Sequence, residues 1–250
     1  PLRESHMEIF GVPSALLGSQ LLVGLINGSF YAILSLGLAI IFGLLNIINF
    51  THGAQYMMGA FVAWIALNKL GINYWVALLF APIVIGALGV VIERTMLRKL
   101  YKLDHLYGLL LTFGLALIFE GIFRDQYGIS GQSYPVPELL QGGVNLGFMF
   151  LPIYRGWVVV AALTVCFATW FIIEKTKLGA YLRAATENAQ MVQALGINVP
   201  LLITFTYGFG VALAAFAGVL AAPIYQVSPL MGSNLIIVVF AVVVIGGMGS

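Results

Sequence analysis

Charge is what this chain lacks most: Asp, Glu, Lys and Arg make up 8% of its 250 residues, against roughly 25% in a soluble domain whose surface faces water. So small a supply cannot coat a globule of this size, and a soluble fold is excluded. The shortage is also uneven. Residues 9–68 and 188–250 contain no Asp, Glu, Lys or Arg at all, and each run is several times the ~20 apolar residues that cross a bilayer. Cysteine is nearly missing as well. The single Cys166 rules out a disulfide framework within the chain and a cysteine-rich metal site, and its place in the apolar run 157–173 marks it as a packing residue. No G-x-x-x-x-G-K-[ST] phosphate loop is present. No His/Glu cluster has metal-ligand spacing, and no nucleophile stands near a base, so the chain is expected to be no enzyme and to hold no metal or cofactor of its own.

What is there instead is 61% hydrophobic residues and a mean hydropathy of +1.04. This is the composition of an all-α, polytopic transmembrane helical bundle, with membrane lipid around it and no nucleic acid among its partners. Seven of the eleven basic residues fall in two clusters, Arg94, Arg98, Lys99 and Lys102 in one and Lys175, Lys177 and Arg183 in the other. Short basic loops stay in the cytoplasm. Two spans, 106–123 and 157–173, lie between these clusters, which puts the Pro- and Gly-rich connector 124–155 outside. Working backwards, 74–92 runs inward from a short external turn at 69–73; working forwards, 201–222 runs outward. Glu93 and Arg94 are expected to mark a helix exit where charge reaches water, and Glu120 and Arg124 have the i,i+4 spacing of a local ion pair. Residues 1–6 look like the remnant of an expression tag, which makes Met7 the expected native start of one domain over 7–250.

Two uncharged stretches do not behave like hairpin turns. Residues 43–53 mix apolar side chains with Asn46, Asn49, Thr51 and His52. A helix over 51–67 would be about 24 Å long at 1.5 Å per residue, short of the ~30 Å hydrocarbon core, so it is expected to begin inside the membrane. Residues 223–234 are broken by Pro223, Pro229 and Gly232 before a second apolar run. Backbone groups freed at such breaks are tolerated only in protein or beside a wet cavity, and paired interrupted segments point to a translocation site. With these, the chain has about seven to eight membrane segments, some of them interrupted helices. Asn46, Asn49, Thr51, His52 and Gln55 form the candidate substrate pathway, as neutral donors and acceptors that could pass a zwitterionic or amphipathic solute without strong binding. The same residues suit helix–helix bracing, and a lone intramembrane His52 suits a proton relay. Gly28, Ser29, Ser35, Gly37, Gly53, Gly59 and Ala60 are small enough for close helix packing.

On the cytoplasmic side, Asn188 is placed to be an N-cap and Gly196 a C-terminal stop of a short helix. Ala189, Met191, Val192 and Leu195 give it an apolar stripe. That stripe suits either the lipid surface or a groove in a cytoplasmic partner. Under the second reading, a charge at Val192 or Leu195 should disturb docking without harming membrane insertion.

Gly28-Ser-Phe-Tyr-Ala-Ile-Leu-Ser-Leu-Gly-Leu-Ala, Ile47-Ile-Asn-Phe-Thr-His-Gly-Ala-Gln-Tyr-Met-Met-Gly-Ala-Phe, Leu178-Gly-Ala-Tyr-Leu-Arg-Ala-Ala-Thr-Glu-Asn, Ala194-Leu-Gly-Ile-Asn and Ile245-Gly-Gly-Met-Gly-Ser together resemble the LivH-type permease subunit of branched-chain amino acid ABC importers. The resemblance covers nearly all of the chain from Met7. It implies a permease of the bacterial inner membrane, paired with a LivM-type homologue, two cytoplasmic ATPase subunits and a periplasmic substrate-binding protein. ATP and Mg would be used by those partners. It makes Glu187, Asn188, Ala189, Met191, Val192, Leu195 and Gly196 the coupling helix that docks on an ATPase, and 124–155 a contact for the binding protein. Related permeases for urea or short amides share much of the pattern, and a stand-alone proton-coupled transporter is the rival of a different class. Family members continue past the last motif by some tens of residues, so the domain is expected to lack a C-terminal helical segment.

Overall fold

The computed structural model describes residues 8–9, 12–45 and 48–247. Among the described residues, nine α-helices carry the fold: α1 (Ser14–Leu45), α2 (Thr51–Leu70), α3 (Tyr74–Ile92), a π-turn (Glu93–Leu97) leading into the short α4 (Arg98–Leu100), α5 (His105–Tyr127), α6 (Ile153–Lys175), α7 (Lys177–Ala194), α8 (Val199–Ala221) and α9 (Ser233–Gly246). Two small antiparallel pairs complete it, β1 (Glu8–Ile9) with β2 (Val12–Pro13) and β3 (Gly143–Asn145) with β4 (Phe150–Pro152). The protein is an all-α, multi-pass membrane bundle.

The helix starts follow local side-chain chemistry. Asn73, Asp104 and Asn198 each accept a hydrogen bond from a backbone N–H just inside α3, α5 and α8, at 3.0, 2.9 and 3.1 Å, which satisfies one of the donors a helix start leaves free. Gly71, at φ +65°, closes α2 in the left-handed conformation that glycine adopts without strain.

Among the described residues, five helices are long and apolar enough to cross a membrane by length and composition: Ser14–Gly43, Tyr74–Leu100, His105–Tyr127, Ile153–Lys175 and Val199–Ala221. The expected seven to eight segments are approached only when α2 and α9 are added. Thr51, His52 and Gln55 at one end of α2, and Asn68 and Lys69 at the other, dilute its hydropathy. The 14 residues of α9 span about 21 Å. The structure also lengthens the helix expected over 51–67, since α2 has 20 residues and reaches about 30 Å. It nevertheless starts inside the bundle: His52 bonds to Leu34, well before the end of α1, and Thr51 bonds to Thr112, well inside α5.

The central post is α8, which packs against α1, α2 and α3. Small residues let the backbones close in. A Cβ on Gly37 would stand 2.6 Å from the Gly210 carbonyl oxygen, and one on Gly59 would overlap the backbone of Ala215. Gly53 makes a similar approach to Gly232, whereas Gly28 is exposed and meets nothing. Gly59→Val should therefore be destabilising by at least about 1–3 kcal/mol, the usual cost of overpacking; a lower unfolding midpoint in detergent checks this, with Gly28→Ala unchanged as the control.

Both basic clusters lie at one end of the bundle, where α3 and α8 meet. At the opposite end the Tyr154 hydroxyl donates to the Leu220 carbonyl (2.9 Å) and lies 3.0 Å from that of Tyr74, which accepts from the Trp157 indole (3.1 Å). There the connector between α5 and α6 pairs with the segment after α8 through an antiparallel bridge of Gln132 and Val227. Glu120 and Arg124 pair at 3.8 Å, and Cys166 packs against the core. One expectation fails. Arg94 is exposed, but Glu93 does not reach water: it is 0% exposed, because the π-turn that begins there turns its side chain inward to Tyr101 and Thr204.

Candidate functional site

The break between α1 and α2 is held by side-chain hydrogen bonds. Asn49 folds back on its own chain, its Oδ1 accepting from the Thr51 N–H (3.1 Å) and its Nδ2 donating to Gln55 Oε1 (3.4 Å). Thr51 Oγ1 donates to the Thr112 carbonyl (2.8 Å). The Thr112 hydroxyl lies 3.1 Å from the Ile48 carbonyl and accepts from the Phe50 N–H at 3.3 Å. A single threonine of α5 thus staples the broken backbone. His52 Nε2 lies 2.9 Å from the Leu34 carbonyl; a carbonyl only accepts, so Nε2 carries the proton.

Asn49, Thr51, His52 and Gln55 are 0–1% exposed, and Asn46 lies outside the described residues. Asn49, Thr51 and Gln55 form one bonded polar cluster and His52 bonds separately to α1, with spare capacity in both: His52 Nδ1, Gln55 Nε2 and the Tyr207 hydroxyl have no hydrogen-bond partner among the described residues. The Tyr207 hydroxyl faces Gln55 and Asn49 without closing a well-shaped bond. In this arrangement the polar residues brace the break from behind.

The second break lies directly against the first. Between α8 and α9 the chain runs through Pro223, Pro229 and Gly232, and the Gly53 and Gly232 backbones are in contact: a Cβ on Gly53 would stand 2.7 Å from the Gly232 carbonyl oxygen. Beside this crossing opens a cavity of about 330 Å³, lined by Asn27, Phe30 and Tyr31 of α1, Tyr56 of α2, Tyr225, Gln226 and Ser228 of the break, and Asn234 at the start of α9. Its lining carries no charged side chain. The Tyr225 hydroxyl donates to Asn27 Oδ1 (3.3 Å), and its ring meets that of Phe30 edge-on at 5.8 Å. The sequence singled out this break, but not the four α1 and α2 residues that face it.

At the basic end, α7 is two helices. Asn188 has non-helical dihedrals (φ −150°, ψ 88°), and its Oδ1 accepts from the Met191 N–H at 2.9 Å. Gly196, at φ +87°, turns the chain toward α8. The expected apolar stripe divides. Val192 points inward against Ala185 and Val199 and is 5% exposed, whereas Met191 and Leu195 are 65% and 76% exposed. A charge at Val192 would therefore tear local packing, and only Met191 and Leu195 report on docking. Glu187, Asn188 and Gly196 are exposed and Ala189 is half-buried.

The chain is similar to known permeases over most of its length. It is 32% identical to the high-affinity branched-chain amino acid transport system permease protein BraD of Pseudomonas aeruginosa, over 92% of this chain and 79% of the relative. It is 28% identical to the corresponding protein LivH of Escherichia coli, with the same shares covered, and 26% identical to LivM of that organism, over 88% of this chain and 57% of the relative. No solved structure matches it significantly. The family described as branched-chain amino acid transport system / permease component matches residues 20–250; the chain belongs to that family.

Proposed function

We propose that this chain is a permease subunit of an ATP-driven importer for branched-chain or other neutral amino acids in the bacterial inner membrane. The uncharged cavity at the crossing of the two breaks carries the reading. A zwitterion needs donors and acceptors but no fixed counter-charge. Asn27, Gln226, Ser228 and Asn234 supply them, while the rings of Phe30, Tyr31, Tyr56 and Tyr225 accept an apolar side chain. The first turn of α9 adds the partial positive end of a helix for the carboxylate. Binding here is weak, which suits a conduit that takes its selectivity from a separate binding protein. Asn49, Thr51, His52 and Gln55 keep the pathway's backbone open from behind, with Asn46 beside them in sequence.

The partners are a LivM-type homologue across the pathway, two ATPase subunits docked on Met191 and Leu195, and a binding protein meeting the connector between α5 and α6. ATP and Mg act in the ATPase subunits. The test is uptake of labelled leucine into vesicles holding the assembled transporter. Uptake that needs ATP and the ATPase subunits is expected. Uptake that survives their loss and follows a proton gradient overturns the reading, and competition by urea but not by leucine replaces the substrate class.

A further inference from the structure

Glu93 is an expensive residue for its place. Its side chain is fully buried between α3 and α8, and no Lys, Arg or His pairs with it among the described residues. A buried carboxylate without a cation is a net cost that an apolar residue of similar size would avoid. Two hydroxyl donors hold it. Oε1 accepts from Tyr101, just past α4, at 2.8 Å, and Oε2 accepts from Thr204 of α8 at 2.7 Å. It sits at the first position of a π-turn (Glu93–Leu97), an irregularity that recurs at functional sites.

The surroundings give this junction a direction. Thr204 lies near the foot of α8, which Asn198 caps and whose Val199 packs on Val192 of the short helix at 188–196. One turn further along α8 stands Tyr207, whose hydroxyl faces Asn49 and Gln55 behind the first break. A line of packed and bonded residues thus runs from the helix at 188–196, through Val192 and Val199, to the foot of α8, where Thr204 bonds Glu93, and along α8 to Tyr207.

We propose that Glu93 is a positioning residue that latches the π-turn of α3 to the foot of α8 through Thr204 and Tyr101, so that a push on the helix at 188–196 moves both helices and the first break together. The proposal rests on the importer reading for its purpose, but the latch itself stands on the geometry alone.

The test uses the assembled transporter in vesicles, with ATP hydrolysis and leucine uptake measured together. Thr204→Val and Glu93→Leu should keep hydrolysis within about twofold of the parent while uptake per ATP falls at least about fivefold, a loss of coupling free energy rather than of folding. Glu93→Gln should stay within about twofold of the parent, because its amide still accepts from Tyr101 and can donate to the Thr204 hydroxyl. A parent-like uptake ratio in Thr204→Val overturns the latch, as does failure of Glu93→Gln to the same degree as Glu93→Leu. If the parent itself shows no ATP-dependent uptake, the importer reading fails, and the latch is decided by amide hydrogen exchange on the chain in detergent. There Thr204→Val should raise exchange at 93–101 and 199–206 together by about tenfold, since local opening reports the bonds that oppose it. Exchange that does not change, or changes in one segment only, overturns it.

Discussion

Arginine or aspartate in place of Leu195 stops ATP-driven uptake and leaves the protein folded. Leu195 is 76% exposed and Met191, one turn earlier, is 65% exposed, so neither contributes to the core of this chain. Each offers roughly 1.5–3 kcal/mol of apolar burial to a partner that covers it. A charge placed there loses that term and must be desolvated as well. With each 1.4 kcal/mol worth tenfold in an equilibrium, docking of an ATPase subunit weakens by about 100-fold or more. The pair of signs separates docking from the rival in which the helix lies on the membrane. An arginine near a helix C-terminus is favourable to the helix and would strengthen attachment to anionic lipid, so a lipid-bound helix tolerates Leu195→Arg and is released by Leu195→Asp. A helix seated in a protein groove fails with both. Co-purification of the ATPase, together with uptake and hydrolysis in vesicles, reads the difference. Val192→Asp belongs to a separate class: with Val192 packed on Ala185 and Val199, it lowers the unfolding midpoint, and its effect on transport says nothing about docking.

The spans were legible because hydrophobic length and the placement of basic residues act over whole segments. Residues 74–92 were read to the residue as α3, and the run 201–222 differs by two residues at its start and one at its end from α8. The pairing of the two breaks was legible too, since uncharged Asn, Pro and Gly in otherwise apolar runs have few physical explanations. What the sequence hid are directions and distant partners. Glu93 looked like a charge leaving the membrane, because a regular helix continuing from α3 gives no sign of the π-turn that rotates it inward. Thr112 is one hydroxyl in an apolar helix, and nothing in the local pattern says that it staples a backbone break 62 residues away. The stripe on α7 failed in part because spacing tells which residues share a helix face, not which of them the chain itself covers; Val192 packs on Ala185 and Val199 and leaves Met191 and Leu195 exposed.

The same hidden geometry sets the proposed pathway through the cavity beside the alternative through the polar cluster. A reading from polarity alone places Asn49, Thr51, His52 and Gln55 in the pathway, yet these side chains are buried in their own chain, while Asn234, in the second break, is exposed at the cavity. Asn234→Asp separates the two arrangements. At the first turn of α9 a carboxylate is favoured by the helix dipole, by about 0.3–1 kcal/mol, so the variant folds at least as well as the parent. In the cavity, however, it repels the substrate's carboxylate at close range. Two unit charges 4 Å apart repel by about 4 kcal/mol at an effective dielectric constant near 20, enough to reduce uptake of a neutral amino acid by more than about tenfold even after screening in a wet cavity. Asn234→Ser, which keeps a neutral hydrogen-bonding side chain at this position, should retain most of the uptake. The measurement is leucine transport per assembled transporter, with the unfolding midpoint recorded beside it. Uptake at the parent's rate in Asn234→Asp would move the pathway away from this cavity and return it to the polar cluster behind it, whereas a loss confined to the charged variant, with stability preserved, fixes the crossing of the two broken segments as the place where the solute passes.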